Sequence, residues 1–370
     1  MKKIIINAIP LLSKKTGVGR YIYEITKSII NSNEFKLSFY YGYISEEFLD
    51  NSKIQNTFLK KIILKFDFLK RIVRKILIFY SRFNKKKYEL YWEPNFIPYK
   101  GIKADKLIIS VHDFSFILYK DFHPKERVEY FENNFFPNIY RSDVIICFSY
   151  FTKKEILDIL KIDEKKVKVI YHGVDHNLFK VYNDFNINFT LPKKFIFCVG
   201  SIEPRKNLLG LLNAYNQLDE NIKEKYKLVL VGFKGWNNDS IMDMINKNNK
   251  YVHYLGFISD KELAKVYNLA SLFVYPSFYE GFGLPVLEAM ACGTPVITSN
   301  VSSLPEVGGD AVVYCNPYDV VDIKNKIKMV LNNENLQEEM IKKGLKRAQE
   351  FTWEKAAEEH IKVFKEVLDS

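Results

Sequence analysis

Short apolar runs alternate with longer amphipathic stretches along the whole chain. The apolar runs of the first half read KIIIN, LSFYYGYI, KLIISVHD, DVIICFS and VKVIYHGVD, and those of the second half read KFIFCVG, YKLVLVGF, VHYLGF, SLFVYPS and TPVITS. Runs of this length predict buried strands, and the amphipathic stretches between them predict helices. Strands and helices in alternation are typical of parallel sheets with helices on both faces, so the predicted fold class is α/β.

Residues 176–193 interrupt this alternation. The stretch HNLFKVYNDFNINFTLPK has neither a helical nor a strand period and contains turn-forming residues. A chain of 370 residues is also too long for one ordinary core. We therefore predict two doubly wound domains, residues 1–178 and 179–352, with a ligand cleft at the carboxyl ends of their strands. Near the end, TWEKAAEEHIKVFKEVL predicts a last helix over 353–370 with Thr352 as its N-cap.

The composition limits the class of protein. With 47% apolar residues the chain can bury two cores, and its net charge of +11 suggests nucleic acid or an anionic membrane. Residues 60–87, however, contain eleven Lys and Arg and only one acid, Asp67, so nearly all of the excess is local. The cysteines form no C-x-x-C pair, which predicts reduced structural thiols and a cytoplasmic location.

The N-terminal stretch MKKIIINAIPLLSKK begins like a short signal peptide. Asn7 and Pro10 interrupt its apolar run, and no small-x-small cleavage site follows. We therefore predict a first strand over Ile4 to Ile6. No run approaches the roughly 20 apolar residues of a membrane-spanning helix.

The stretch YEGFGLPVLEAMACGTPVIT carries candidate chemistry. A buried strand leads into a glycine-rich turn at residues 280–283, and Pro285 then predicts the start of a helix. Backbone N–H groups at a helix N-terminus beside glycines form an anion site. Two carboxylates at such a site, Glu280 and Glu288, indicate hydrogen bonds to the hydroxyl groups of a sugar and a ribose. Taken singly, Glu280 could be an ordinary turn residue, and Glu288 could merely complement the helix dipole.

A second anion site is predicted in FIFCVGSIEPRKNLLGLLNAY. The loop after the strand presents Arg205 and Lys206, and Asn207 can cap the next helix. An arginine can grip a diphosphate with two hydrogen bonds while a lysine adds a point charge. The chain contains no D-x-D pair to hold a divalent cation, so we predict that the two side chains act without a metal. An isolated Arg-Lys pair is more often a solvated surface patch.

Two weaker signals come from the first half of the chain. In KKTGVGRY, Gly17 and Gly19 stand just ahead of a helix predicted to begin near Arg20, where glycines let the backbone approach a phosphate or sugar. In LIISVHDFSF, His112 ends a buried strand at the lip of the predicted cleft. Catalytic groups collect at that position, although a lone histidine is more often structural.

Together these pieces resemble a known family. The stretches SIEPRKN, SFYEGFGLPVLEAMACGTPVITSN, SSLPEVGGDA, VHYLGFISDKELAKVY and SVHD are similar to motifs of the retaining, nucleotide-sugar-dependent glycosyltransferases of family 4, which have the GT-B fold. Within that family, YWEPNFIP and GSIEPRKNL resemble bacterial mannosyl- and rhamnosyltransferases of surface polysaccharide assembly. Residues 30–105 match poorly, and Val312 replaces an alanine that is frequent in the family.

The resemblance implies a Rossmann-like acceptor-binding domain and a Rossmann-like donor-binding domain, with the last helix packing back on the first. Glu280 and the amides of residues 282–286 would hold the donor sugar and distal phosphate, Glu288 the ribose, and Arg205 with Lys206 the diphosphate. The implied donor site comprises Gly17, Gly19, Arg205, Lys206, Glu280, Gly281, Phe282, Gly283, Leu284 and Glu288, and the implied catalytic residues are Glu280, His112, Arg205 and Lys206.

The reaction implied by the resemblance is transfer of a sugar, with retention, to a hydroxyl of a lipid-linked oligosaccharide or polysaccharide precursor. GDP-mannose is the first choice of donor, UDP- and dTDP-sugars are alternatives, and no cofactor or metal is expected. A GT-B sugar phosphorylase or epimerase is an alternative enzyme, although the sequence points to no lysine site for a pyridoxal cofactor. A nucleic-acid-binding protein would interleave basic and aromatic residues on one exposed face, whereas residues 60–87 place basic residues beside a helical apolar stripe.

Residues 60–87 have two possible interpretations. In the first, the apolar stripe belongs to a core and the basic face is merely solvated. In the second, residues such as Arg71, Arg74 and Lys75 bind anionic lipid, at about 1 kcal/mol for each Lys or Arg near the surface. The second interpretation would make the protein peripheral on the inner face of the cell membrane.

Overall fold

A computed structural model of the protein describes residues 1–12, 17–49, 86–183 and 187–370. The basic segment lies outside these ranges except for Lys86 and Lys87, so its membrane contact stays a prediction. Within the described ranges, no helix is both long enough and apolar enough to span a bilayer.

The strands of the described ranges form two sheets. They are β1 (Lys3–Asn7), β2 (Lys36–Tyr40), β3 (Ile44–Ser45), β4 (Tyr88–Glu93), β5 (Ala104–Val111), β6 (Val144–Cys147), β7 (Val167–Val169), β8 (Phe195–Val199), β9 (Lys227–Val231), β10 (Val252–Tyr254), β11 (Leu272–Tyr275), β12 (Val296–Ser299) and β13 (Val313–Cys315). The first sheet has the order β3-β2-β1-β4-β5-β6-β7 and the second the order β10-β9-β8-β11-β12-β13. All neighbouring strands are parallel except β2 and β3.

Helices cover both faces of each sheet. In the described ranges they are α1 (Gly17–Ser32), α2 (Ser115–Leu118), α3 (Lys125–Asn134), α4 (Phe136–Ile139), α5 (Tyr150–Leu160), α6 (Leu208–Asn216), α7 (Glu220–Lys225), α8 (Asp239–Lys247), α9 (Asp260–Leu269), α10 (Leu284–Ala291), α11 (Leu304–Gly308), α12 (Val320–Leu331), α13 (Glu334–Ala348) and α14 (Trp353–Asp369). We call the layers around the first sheet the first lobe and those around the second sheet the second lobe.

The α/β prediction is confirmed, and all ten predicted apolar runs contain strands. Two strands were missed, β4 and β13, and one run needs correction: LSFYYGYI forms β2 and then reverses into the antiparallel β3 through Gly42, whose φ is 93°.

The strand order changes direction between β1 and β4 and again between β8 and β11. Such reversals open a crevice at the carboxyl ends of the strands. The proposed domain division at residue 178 falls between β7 and β8 and stays a prediction.

The last helix, α14, packs on α1 and β4 of the first lobe, although it follows the second lobe in sequence. Thr352 caps it by accepting a hydrogen bond from the backbone of Lys355. The segment after β7 packs tightly against the start of α14, because a Cβ on Gly173 would lie 2.2 Å from the backbone nitrogen of Trp353. The apolar residues Ala357, Ile361, Phe364 and Leu368 recur at three to four positions in the sequence, which predicts one buried face. In the structure Ile361 and Leu368 are only half-buried, and the buried positions are Trp353, Ala356, Ala357, His360, Val363, Phe364 and Val367.

A buried hydrogen-bond chain joins α14 to the first sheet. His360 Nδ1 lies 2.7 Å from the Ala356 carbonyl, so this nitrogen carries the proton and Nε2 accepts from the Tyr21 hydroxyl at 2.8 Å. The Tyr21 oxygen accepts in turn from Ser110, whose own oxygen accepts from Trp92 Nε1, each over 3.0 Å. Each of these buried polar groups therefore has a hydrogen-bond partner. Burial lowers the pKa of His360 to about 4.

This histidine should make the fold sensitive to acid. Because the pKa of His360 is about 4 in the folded state and 6.5 in the unfolded state, its contribution to stability is complete above pH 6.5 and is lost as the pH falls towards 4. Between pH 6.5 and pH 4 the free energy of unfolding of the wild type should therefore decrease. We expect this decrease to exceed the one in His360→Gln by up to about 3 kcal/mol. Denaturant unfolding of both proteins at several pH values measures the difference, and parallel losses would contradict it.

Candidate active site

The carboxyl ends of the two sheets face one cavity of about 380 Å³. The first lobe lines it with the start of α1 and with residues that follow β5 and β7, and the second lobe with the loops after β8, β9, β10 and β11. The structure brings nearly all of the predicted site residues to this cavity, namely Gly17, His112, Arg205, Lys206, Glu280, Gly281, Phe282, Gly283, Leu284 and Glu288. Gly19 differs: α1 begins at Gly17 instead of near Arg20, and Gly19 is buried within its first turn.

Arg205, Lys206 and Glu280 form one ion cluster in the cavity wall. Arg205 donates to Glu280 Oε2 at 3.0 Å and Lys206 to Oε1 at 2.7 Å. Arg205 also donates to Glu203 at 2.9 Å, and Lys206 to the Tyr275 hydroxyl at 2.6 Å. A single carboxylate therefore holds both cations at the carboxyl end of the strands.

The ionisation of Glu280 follows from this cluster. Burial alone opposes a charged carboxylate, but the two neighbouring cations outweigh it and lower the pKa of Glu280 to about 2. Tyr275 adds a hydrogen bond to Oε1 at 2.8 Å. Glu280 is thus an ionised hydrogen-bond acceptor at neutral pH and cannot serve as a general acid.

The loop that carries the cations is fixed by Asn207. This residue has a left-handed backbone, with φ 54°, and its side-chain oxygen accepts from the Gly210 amide to cap α6. Its side-chain nitrogen donates to the carbonyls of Pro276 and Pro317, at 3.0 and 2.7 Å. Asn207 therefore ties the cation loop to the ends of β11 and β13, which keeps both cations aimed into the cavity.

The glycine turn before α10 has no room for a side chain at Gly281. A Cβ on Gly281 would lie 1.7 Å from the His112 carbonyl oxygen of the first lobe, so only glycine fits there. Gly283 has a left-handed φ of 117°, and its carbonyl accepts from the Val286 amide at 3.0 Å. The Val286 amide, which was expected to bind ligand, is therefore already engaged.

Glu288 belongs to a second ion cluster in the cavity wall, which joins the two lobes. One of its oxygens pairs with Arg20 of the first lobe, and the other accepts from the Tyr267 hydroxyl at 3.1 Å. Arg20 also reaches Asp260 at 3.0 Å. Burial raises the pKa of Glu288 above its ordinary value, against the opposing effect of Arg20.

His112 stands at the lip of the cavity, and its tautomer is fixed. Nε2 lies 2.8 Å from the Pro94 carbonyl and therefore donates, which leaves Nδ1 as an acceptor. Burial lowers the pKa of His112 to about 4, so the ring is neutral at pH 7. The turn that holds Pro94 is organised by Glu93, a fully buried carboxyl that accepts from the Asn95 amide at 3.0 Å and from Asn7 at 2.8 Å.

Several residues of the cavity were not predicted. Arg20 and Asp260 complete the Glu288 cluster, and His172 stacks on Phe148 with 3.9 Å between ring centroids, beside His112. Phe233 and Phe257, in the loops after β9 and β10, also line the cavity and are 48% and 51% exposed. The signal that the sequence offered for these two was the Gly-Phe pair that ends the runs YKLVLVGF and VHYLGF, and nothing local marks the others. Within the described residues, no group of three His, Cys, Asp or Glu is arranged to hold a metal ion.

Comparisons with known proteins follow this division into two lobes. The family described as Glycosyltransferase Family 4 matches residues 16–178, and the family described as Glycosyl transferases group 1 matches residues 182–347. O-antigen chain mannosyltransferase B of Escherichia coli is 31% identical over 98% of this chain and 99% of its own length. The serotype-specific mannosyltransferase WbdA of the same species is 32% identical over 62% of this chain and 29% of its own length.

Solved structures show the same fold. A sucrose-phosphate synthase from Thermosynechococcus elongatus superposes over 100% of both chains with a TM-score of 0.75 and 19% identity. Anabaena Alr3699/HepE, solved in complex with UDP and glucose, covers 99% of this chain and 100% of its own with a TM-score of 0.70 and 16% identity. The sequence matches and the shared fold lead to one conclusion: the chain is a glycosyltransferase with the GT-B fold and belongs to the group 1 and family 4 glycosyltransferases.

Proposed function

We propose that the protein transfers mannose from GDP-mannose, with retention, to a hydroxyl of a lipid-linked oligosaccharide or polysaccharide precursor. The observation that carries the proposal is the convergence of Arg205, Lys206 and Glu280 at the carboxyl ends of β8 and β11. Two buried cations suit a diphosphate, and the carboxylate beside them suits the hydroxyl groups of the sugar attached to it. The mannosyltransferases among its relatives favour mannose as the sugar.

The cavity supports an extended donor. The diphosphate would lie at Arg205 and Lys206, where it takes over hydrogen bonds that these side chains now make to Glu280. The sugar would lie towards Glu280 and the first turn of α10, and the ribose towards Glu288. The base would then reach Phe233 and Phe257, whose exposed rings offer stacking surfaces.

In this arrangement the protein mainly stabilises the leaving group. Negative charge grows on the diphosphate as the glycosidic bond breaks, and Arg205 with Lys206, whose side chains are 14% and 11% exposed, would neutralise it. The acceptor hydroxyl would attack from the same face, assisted by a departing phosphate oxygen that takes its proton. The neutral ring of His112 can accept a hydrogen bond at Nδ1, which fits contact with a hydroxyl of the transferred sugar.

Location and partners follow as further parts of the proposal. A lipid-linked acceptor would bring the protein to the inner face of the cell membrane, where residues 60–87 would bind anionic lipid. We expect that no metal and no cofactor is required, because Arg205 and Lys206 could neutralise the diphosphate in place of a metal. UDP- and dTDP-sugars are the alternative donors; HepE, which shares the fold, was solved in complex with UDP-glucose.

A donor screen followed by a transfer assay tests the proposal. GDP, UDP and dTDP are compared by the rise that each causes in the unfolding temperature, and we expect GDP to give the largest rise. A ligand at 100 times its Kd stabilises the folded protein by about 2.7 kcal/mol. Transfer from GDP-mannose to a lipid-linked acceptor is then followed by NMR of the product anomer, with and without EDTA. Turnover in EDTA with an α product is expected. Loss of turnover in EDTA and its recovery with magnesium would refute the role given to the cations.

A further inference from the structure

A single arginine of the first lobe reaches across the cleft to the proposed ribose site. Arg20, on the first turns of α1, contacts Glu288 through Nη1 and lies 3.0 Å from Asp260 through Nη2. Its side chain is only 13% exposed, and that of Glu288 is 7% exposed. The bridge therefore joins α1 to both α9 and α10. Its contact with Glu288 is largely shielded from solvent, where charge interactions are strong, while Asp260 is 31% exposed.

The position of Arg20 is held from several sides. Its neighbour Tyr21 is locked into the buried hydrogen-bond chain with Ser110 and His360. The guanidinium itself lies 5.0 Å from the ring centroid of Phe179, which packs beneath it. Arg20 thus presents a fixed cation to Glu288 and is not a freely moving surface side chain.

The groups around Glu288 show why a cation is needed there. Arg20 faces it from α1, Asp260 and Tyr267 face it from α9, and Cys292 lies beside it at the end of α10. Of these, Arg20 is the positively charged group. If Arg20 were neutral, Glu288 would stand buried beside a second carboxylate, Asp260, with no opposite charge among these neighbours. A buried carboxyl in such surroundings takes up a proton.

We propose that Arg20 is a positioning residue of the donor site, which keeps Glu288 ionised and oriented to accept hydrogen bonds from the ribose hydroxyls. The inference rests on the proposed function, because it assigns Glu288 to the ribose. Arg20 engages one oxygen of Glu288 and Tyr267 the other, so each oxygen keeps a lone pair for a ligand. Two hydroxyl groups on adjacent ring carbons match two such oxygens.

The proposal predicts a dependence on pH that a merely structural role would not produce. Without Arg20 the pKa of Glu288 rises further, so Glu288 is protonated at low pH and ionised again at high pH. We expect Arg20→Gln to bind nucleoside diphosphate about tenfold more weakly than wild type near pH 6, with the ratio shrinking below about threefold near pH 8.5. The ratio is used because titration of the ligand phosphate affects both proteins equally.

The experiment is a set of calorimetric titrations of the protein with GDP, UDP and dTDP across this range. The expected ratios apply to GDP and UDP, because the deoxyribose of dTDP lacks the 2′-hydroxyl. Arg20→Lys keeps the charge and should restore a wild-type pH profile, and Lys27→Gln, at an exposed position of the same helix, should match wild type throughout. Thermal unfolding confirms that each variant is folded. An Arg20→Gln deficit of the same size at every pH overturns the role of Arg20 alone. If the wild type binds none of the three nucleotides, the proposed function is overturned together with the role of Arg20.

Discussion

Replacing Glu280 by alanine is expected to lower kcat by about 100- to 1,000-fold while leaving the affinity for nucleoside diphosphate unchanged or increased. The carboxylate is proposed to bind the sugar, so its loss removes stabilisation at the reacting end of the donor. At the same time it frees Arg205 and Lys206, which Glu280 now engages at 3.0 and 2.7 Å, for the diphosphate. Steady-state kinetics and calorimetry of the same preparation separate the two quantities.

Two further variants control for this result. Glu280→Gln keeps the volume of the side chain but also removes the charge that pairs with Arg205 and Lys206. Because a broken buried ion pair can cost about 3 to 5 kcal/mol, thermal unfolding of both variants checks that they are folded. Glu288→Ala should show the opposite pattern, with weakened nucleotide binding as its main effect, since its proposed partner is the ribose. Equal effects of both alanine variants on kcat and on affinity would contradict the division of roles between the two glutamates.

Replacing Lys206 by methionine is expected to lower kcat by about 100-fold. Methionine keeps much of the length and apolar contact of the lysine stem but removes the charge that would meet the diphosphate as the bond to the sugar breaks. Lys247→Met, at an exposed position of α8, is the matched control and should behave as wild type. Unchanged kcat in Lys206→Met would show that the diphosphate is stabilised by other groups.

Most of the fold was predictable because its signals are local. Buried parallel strands are continuous apolar runs, and ten of them were recognisable. Strand β4 was not, because Glu89 and Glu93 interrupt the apolar residues of YELYWE; Glu93 is buried only because Asn7 and Tyr91 hydrogen-bond to it in the folded protein. For the same reason His360 was not expected on the buried face of α14, since its partner Tyr21 is 339 residues away in sequence.

The candidate site likewise combines residues that local sequence predicts with residues that only the folded structure brings together. The glycine turn, the proline at the helix start and the Arg-Lys pair each lie within one short stretch, so their meeting at a strand end followed from the order of elements. Arg20 carried no such signal, because Glu288 lies 268 residues further along and only the packing of the two lobes brings them together. The engaged Val286 amide and the burial of Gly19 are likewise details of local geometry that the residue types did not specify.

The most direct test of the central claim, that Arg205 and Lys206 hold the donor diphosphate, compares a nucleoside diphosphate with the monophosphate of the same base. Both ligands are titrated calorimetrically into wild type and into Lys206→Met. We predict that wild type prefers the diphosphate by about tenfold or more, equivalent to about 1.4 kcal/mol, and that Lys206→Met loses most of this preference. A preference of the same size in both proteins would contradict the claim.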